Sequence, residues 1–411
     1  MVSVRSLLAA AAAILPFTNA LPMHSTSSNA ASTQAGSIVP DHYIVVLKPN
    51  VTNQQFEEHQ VWATSRHNRR LARRDDNNLT GIKNKYHFGQ FTAYSGAFDA
   101  STIDEIKARD EVAHVEEDKI VVAQGIVAQQ DATWGIARIS HQSAPSDSSY
   151  LYDSSAGEGV TAYVIDTGVN LAHEEFEGRA SFGVNTAGGD DDDHFGHGTH
   201  VSGTIAGKTF GVAKKAKIVA VKVLGDDGSG TNSGVIAGVE WVANDAQKRS
   251  GPSVANMSLG GSYSQALNSA VEAAVQSGVT FGVAAGNEGQ DALNDSPASA
   301  QGAITVGATD NTDTRASFSN FGSAVDVFAP GVDITSAWIG STTAVNTISG
   351  TSMATPHVVG LAAYLIALEG LSSPAQVAQR ILALAVNGIV NNPGPSTVSS
   401  LIFNGADSSG N

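Results

Sequence analysis

The chain contains no cysteine. Disulfides are therefore excluded, and a protein of this length must be held by its core or by bound ions. Basic residues are scarce: 23 Lys and Arg stand against 39 Asp and Glu, for a formal net charge of −16. The imbalance is uneven, since 26 of the acidic but only 11 of the basic residues follow residue 124. Such a surface repels phosphate, which argues against nucleic acid as a partner, and it favours solubility outside a cell. Long apolar runs are also missing. Leu7–Leu15 is too short to span a bilayer, and no later segment reads as spanning. No membrane partner and no organic cofactor are expected.

What is present points to two folded units, because 411 residues exceed the usual single-core size. Apolar residues make up 42% and charged residues 15%, which suits a large core. Arg5, the apolar Leu7–Leu15 and the small-residue stretch Thr18-Asn19-Ala20 form a secretory pattern. Residues 1–20 are thus expected to be a signal peptide and the protein to be secreted. A lead rich in Ser, Ala and Thr runs to residue 38. A small unit follows: strand-like Tyr43–Leu47, helical Gln54–Leu71, strand-like Phe91–Phe98, helical Ser101–Arg109 and a final strand over Val112–Val122. Thr102 and Glu105 stand at capping-box spacing. This order predicts a small α+β open sandwich. The basic residues Arg69, Arg70, Arg73 and Arg74 read as a solvated helix end or a processing site.

From Trp134 onward, apolar strands alternate with helices. Strands are predicted at Thr161–Asp166, Ile218–Val223, Val254–Ser258, Thr280–Ala284, Ile304–Val306 and Ala324–Phe328. Helices are predicted at Ser233–Gln247, Gln265–Ser277 and 372–386. Continuous apolar strands between helices imply an α/β fold, with a mostly parallel sheet covered on both faces.

Three motifs carry chemistry. Gly350-Thr351-Ser352-Met353-Ala354-Thr355-Pro356 sets one serine at the start of a helix whose Val358, Leu361, Ala362 and Leu365 repeat at core-facing spacing. Pro356 is expected in the first turn, where a missing N–H costs little. Alone, Ser352 is a helix cap or a nucleophile. A nucleophile needs a base, and the base an orienting carboxylate. Gly196-His197-Gly198-Thr199-His200 offers the histidine, and Val164-Ile165-Asp166-Thr167-Gly168 ends an apolar run in a carboxylate. A rival reading comes from Asp190–Asp193 with His194, His197 and His200, which could bind a transition metal. It leaves the serine motif unexplained, and the aspartate run reads more simply as a solvated loop.

Together the three motifs resemble those of the subtilisin-like serine proteases, and within them the fungal alkaline proteases of the proteinase K branch. The resemblance covers nearly everything after about residue 125, and a weaker one covers the unit before it. It implies a three-layer subtilisin-like domain over 125–411, preceded by an inhibitory propeptide domain over 21–124. The implied protein is a secreted, self-processing serine endopeptidase with Asp166, His197 and Ser352 as its triad and Asn287 of Ala284-Ala285-Gly286-Asn287 as oxyanion donor. Ser258, Leu259 and Gly260 would pair with the substrate backbone, and Ala284, Ala285 and Gly286 would wall the main specificity pocket. No charge lies within either segment, so apolar or aromatic side chains are expected before the cut. Asp326, with the backbone carbonyls of Gln301 and Ala303, matches a structural calcium site. Partners would be protein and peptide substrates and the chain's own propeptide, whose Val121–Gln124 would enter the site like a substrate and be cut before Gly125. A monomer is expected. Asn50, Asn78, Asn256 and Asn294 open glycosylation triplets, of which Asn256 lies in a predicted buried strand.

Overall fold

The computed structural model describes residues 38–71, 79–119 and 125–406. The secretory pattern, Arg73, Arg74, Asn78 and Val121–Gln124 lie outside these residues. Contacts divide the chain into two units, Met1–Ala123 and Gln124–Asn411.

The first unit runs β1 (Ile38–Leu47), α1 (Asn53–Leu71), β2 (Gly81–Phe88), β3 (Phe91–Ala97), α2 (Ala100–Lys107) and β4 (Val112–Lys119). Its antiparallel sheet has the order β2-β3-β1-β4. The sequence did not suggest β2, whose segment Gly-Ile-Lys-Asn-Lys-Tyr-His-Phe is polar and largely exposed. It is an edge strand, held by backbone pairing to β3 rather than by its own burial. The cap of α2 also differs from expectation. Asp99 accepts from the N–H groups of Ser101 and Thr102, so it takes the role expected of Thr102. Glu105 instead pairs with Arg66 and Arg70.

The second unit begins with β5 (Ile126–Gln129), α3 (Trp134–Ile139), β6 (Tyr150–Asp153), β7 (Thr161–Asp166), β8 (Ala180–Asn185), α4 (His197–Ala206), β9 (Lys217–Lys222) and α5 (Asn232–Ala246). It continues with β10 (Ser253–Met257), β11 (Gly261–Ser262), α6 (Gln265–Gln276), β12 (Thr280–Ala284), β13 (Asp295–Ser296), β14 (Ile304–Thr309) and β15 (Val327–Pro330). The hairpin β16 (Ile334–Ala337) and β17 (Val345–Ile348) leads to α7 (Thr351–Glu369) and α8 (Pro374–Leu384).

Seven of these strands form a parallel sheet of order β15-β14-β12-β10-β7-β9-β8. Side chains alternate along β7. Ala162 and Val164 pack with α4 and α7 on one face, and Tyr163 and Ile165 pack with α5 and α6 on the other. The strand order reverses beside β7, and a crevice opens outside the carboxyl ends of the strands at such a point. Asp166 ends β7, Ser258 follows β10 and Ala284 ends β12. The expected strand over Ala324–Phe328 starts only at Val327, because the Val325 N–H turns back to Gly322 O (3.1 Å).

Helix α7 is long and apolar enough to cross a membrane, contrary to the expectation that no later segment would be, but it is buried in the core. Pro356 is its sixth residue, not a first-turn residue. The missing N–H would have bonded the Ser352 carbonyl. Ser258 Oγ donates to that carbonyl instead (2.7 Å).

The core also holds an arginine–aspartate ion pair. Arg138 of α3 donates through Nε and Nη2 to both Asp313 oxygens (2.8 and 3.0 Å), with the two side chains 3% and 10% exposed. Asp313→Ala would leave a buried, unpaired guanidinium and should destabilise by ~3–5 kcal/mol. A large fall in melting temperature is expected, read by calorimetry in a Ser352→Ala background that prevents self-digestion. An unchanged melting temperature would contradict it.

Candidate active site

Asp166 is wholly buried at the end of β7. His197 opens α4, and its Nδ1 lies 2.8 and 3.0 Å from the two Asp166 oxygens. A carboxylate only accepts, so Nδ1 carries the proton and Nε2 presents its lone pair. Gly198 permits this approach, since a Cβ there would fall 2.1 Å from Gly168 O. Burial pushes the His197 imidazole down, but the Asp166 charge, its hydrogen bond and the nearby Asp193 charge outweigh it, leaving the pKa above its ordinary 6.5.

Ser352 is the second residue of α7, where the helix field favours negative charge. Its Oγ donates to Ser258 O (3.1 Å) while Ser258 Oγ donates to its carbonyl. Two reciprocal bonds thus fasten the helix start to the end of β10. Among the described residues, no hydrogen bond joins Ser352 to His197. Such bonds are often long before substrate is bound. Asn287 is oriented by Thr351, whose N–H and Oγ donate to Asn287 Oδ1 (2.8 and 3.0 Å). Its Nδ2 donors are therefore the free end, beside Ser352.

Two recesses share Leu259, Gly260 and Gly261. One includes His197, and the other includes Ala284, Gly286, Asn287 and Ser352. Ala285 departs from expectation as a wall residue. It is fully buried in an apolar cluster with Val325 and Phe328.

The three histidines do not converge. Nε2 of His194 is exposed and bonds Asp190 (2.9 Å), while His200 is buried with Nε2 donating to Ile334 O (3.0 Å). Burial lowers the His200 pKa to about 4. Among the described residues, only Asp190, Asp192 and His194 group as possible ligands, all exposed.

Comparison with known proteins agrees with this geometry. The subtilase family profile matches residues 157–401, and that of the peptidase inhibitor I9 matches residues 42–124. The chain belongs to the subtilase family. Alkaline protease 1 of Aspergillus oryzae is 51% identical over 397 residues, covering 95% of this chain and 96% of that protein. Subtilisin-like protease 2 of Pseudogymnoascus destructans is 53% identical over 405 residues, 98% of each. The crystal structure of a cold adapted subtilisin-like serine proteinase matches with a TM-score of 0.64 and 50% identity, covering 67% of this chain and 99% of that one. The subtilase is a serine endopeptidase with an inhibitor-type propeptide domain.

Three acidic residues of this subtilase site were given no part in it from sequence. Asp193, assigned to a solvated loop, is buried and accepts from Thr167 Oγ, Gly196 N and both the N–H and Oγ of Thr199 (2.6–3.0 Å). It ties the start of α4 to the residue after Asp166. Glu288 and Asp295 line the recess beside Ser352, although the two segments expected to wall it carry no charge. Asp295 lies in β13, brought to β11 by backbone pairing that local spacing does not reveal.

The expected calcium site is consistent with the chemistry of Asp326. Burial raises its pKa, one oxygen accepts from Thr305 N (2.8 Å), and no cationic side chain among the described residues pairs with it. Its backbone bonds Thr305, two residues beyond Ala303 (3.0 Å). A hard cation held by oxygen would offset that half-buried charge.

The Ser258–Pro356 relation gives a direct test. Ser258→Ala strands the Ser352 carbonyl and should cost about 1–3 kcal/mol. Pro356→Ala supplies the missing N–H, so the cost of Ser258→Ala should shrink in that background. Melting temperatures of the four proteins, all carrying Ser352→Ala, measure the coupling. Strictly additive effects would contradict it.

Proposed function

We propose that this subtilase is a secreted endopeptidase of broad specificity that cleaves through an acyl-enzyme and matures by cutting itself. The observation that carries the reading is the Nδ1-protonated His197 on buried Asp166, with a helix-start serine and the Asn287 amide lining a recess that shares Leu259, Gly260 and Gly261 with the recess of His197. In this reading His197 Nε2 takes the Ser352 Oγ proton as Oγ attacks the peptide carbonyl, and Asp166 stabilises the imidazolium. Asn287 Nδ2 and the Ser352 N–H receive the oxyanion. The imidazolium then protonates the leaving amine, and water repeats the sequence to release the acid. Ser258–Gly260 pairs with the substrate backbone, giving affinity without sequence demand. Leu259, Gly260, Ala284 and Gly286 offer apolar and backbone walls to the side chain before the cut.

Residues 21–124 are the inhibitory propeptide in this account, and the bond after Gln124 is the first substrate. Residues 1–20 direct secretion. Asp326 and the carbonyls of Gln301 and Ala303 would hold a calcium ion, which would stabilise the fold and take no part in the reaction.

Ser352→Ala or His197→Ala should lower kcat by about 10⁶, the magnitude found in subtilisin itself. Asn287→Ala should lower it by roughly 10²–10³, again the subtilisin value, with KM little changed. Ser352→Ala should also remain the uncut precursor when produced without other proteases, as intact mass would show. Residual activity above about a hundredth of wild type in Ser352→Ala would overturn the assignment. The upward shift of His197 fixes the pH dependence. The base works only when neutral, so activity is lost below its pKa and rises through neutral to alkaline pH, with a midpoint above 6.5. A maximum in acid would contradict it.

Chelation should lower the melting temperature, because calcium that binds only the folded state stabilises it by mass action. Initial rates should stay unchanged. Asp326→Ala should melt lower and lose its response to chelator. Immediate loss of turnover before unfolding would contradict the structural role.

A further inference from the structure

The recess lined by Ser352 carries negative charge. Asp295 lines it and is 8% exposed. Its Oδ2 accepts from Asn320 Nδ2 (2.7 Å) and Gln290 Nε2 (3.1 Å), while Oδ1 has no donor among the described residues. Glu288, exposed at the same recess, accepts through Oε2 from the same Asn320 Nδ2 (3.0 Å). Two carboxylates therefore converge on one neutral amide, which also donates to Ala285 O (3.0 Å). No lysine, arginine or histidine among the described residues pairs with either. The arrangement is built into the backbone. Asn320 Oδ1 accepts from the N–H groups of Glu288 and Gln290 (3.1 and 3.0 Å), and Gly286 leaves room for its amide, since a Cβ there would fall 2.2 Å from Asn320 Nδ2. Burial and the Glu288 charge raise the Asp295 pKa against the pull of its amide donors, so the site would gain from a cation.

Other walls of the same recess are apolar or backbone: Leu259, Gly260 and Ala284. A side chain that suits both parts has an aliphatic stem and a cationic head. We propose that Asp295, with Glu288 beside it, is a specificity-determining residue that admits lysine and arginine before the scissile bond, alongside the apolar side chains that the walls accept. The methylenes lie against Leu259 and Ala284, and the ammonium or guanidinium reaches the free oxygen of Asp295. This rests on the reading of Ser352 as nucleophile and of its recess as the pocket for the residue before the cut.

Asp295→Asn is the decisive variant, because an asparagine oxygen can still accept from Asn320 and Gln290 while the charge is lost. The measurement is kcat/KM on paired peptides that differ only in Lys, Arg or Phe before the cut. Wild type should cleave all three, and the Lys/Phe and Arg/Phe ratios should fall about tenfold or more in Asp295→Asn, the worth of one part-buried charge-assisted contact. Glu288→Gln, an exposed change that leaves the Asn320 bond possible, should lower the ratios by a smaller factor. It keeps the test alive if Asp295→Asn folds poorly. Ratios unmoved in both variants, or wild type that cleaves after Phe but not after Lys or Arg, would overturn the inference. Failure to cleave any of the peptides would overturn the underlying reading of Ser352 instead.

Discussion

The site depends on how the start of α7 is fastened to the end of β10. Pro356 removes the N–H that would bond the Ser352 carbonyl, and Ser258 Oγ supplies the bond from outside the helix. Ser352 Oγ returns a bond to Ser258 O. One helix turn, one strand end and the proposed nucleophile therefore share a single junction. Thr351 extends it by fixing Asn287 through two bonds to Oδ1. The segment that would pair with substrate and the amide that would receive the oxyanion are both placed by neighbours of one serine.

A second junction positions the base. Asp193 gathers donors from the start of α4 and from Thr167, and Lys222 of β9 donates to Thr167 O (2.8 Å) and Asp192 O (3.1 Å). These bonds reach the immediate neighbours of both members, since Thr167 follows Asp166 and Gly196 precedes His197. The Asp166–His197 contact is therefore over-determined by backbone-directed bonds, which preorganises it without demanding strain at either member.

Much of this was legible in the sequence. The bounds of β7 and β12 match expectation because each is an uninterrupted apolar run between turn signals, and α5 and α6 fall within a residue of theirs. Asp166, His197, Ser352 and Asn287 could be proposed from sequence because each sits in a motif with glycine or small residues beside it. The rest was hidden for physical reasons. Strand β2 is stabilised by pairing rather than burial, so its polar sequence gives no periodic signal. The position of Pro356 could not be judged without its partner Ser258, 98 residues earlier in the chain. Asp193 looked like part of a solvated run, since only the fold separates it from its exposed neighbours. Asp295 reaches the recess through the β11–β13 pairing, and the charge of that pocket followed from topology alone.

The account turns on one hydroxyl among the many serines of the chain. The most direct measurement is to treat the mature enzyme with a serine-directed phosphonylating reagent and map the adduct by peptide mass spectrometry. The account predicts one adduct, on Ser352, formed in step with loss of activity and abolished in His197→Ala that wild-type enzyme has matured in trans. Full inactivation with the adduct on another residue, or full activity with Ser352 modified, would contradict it.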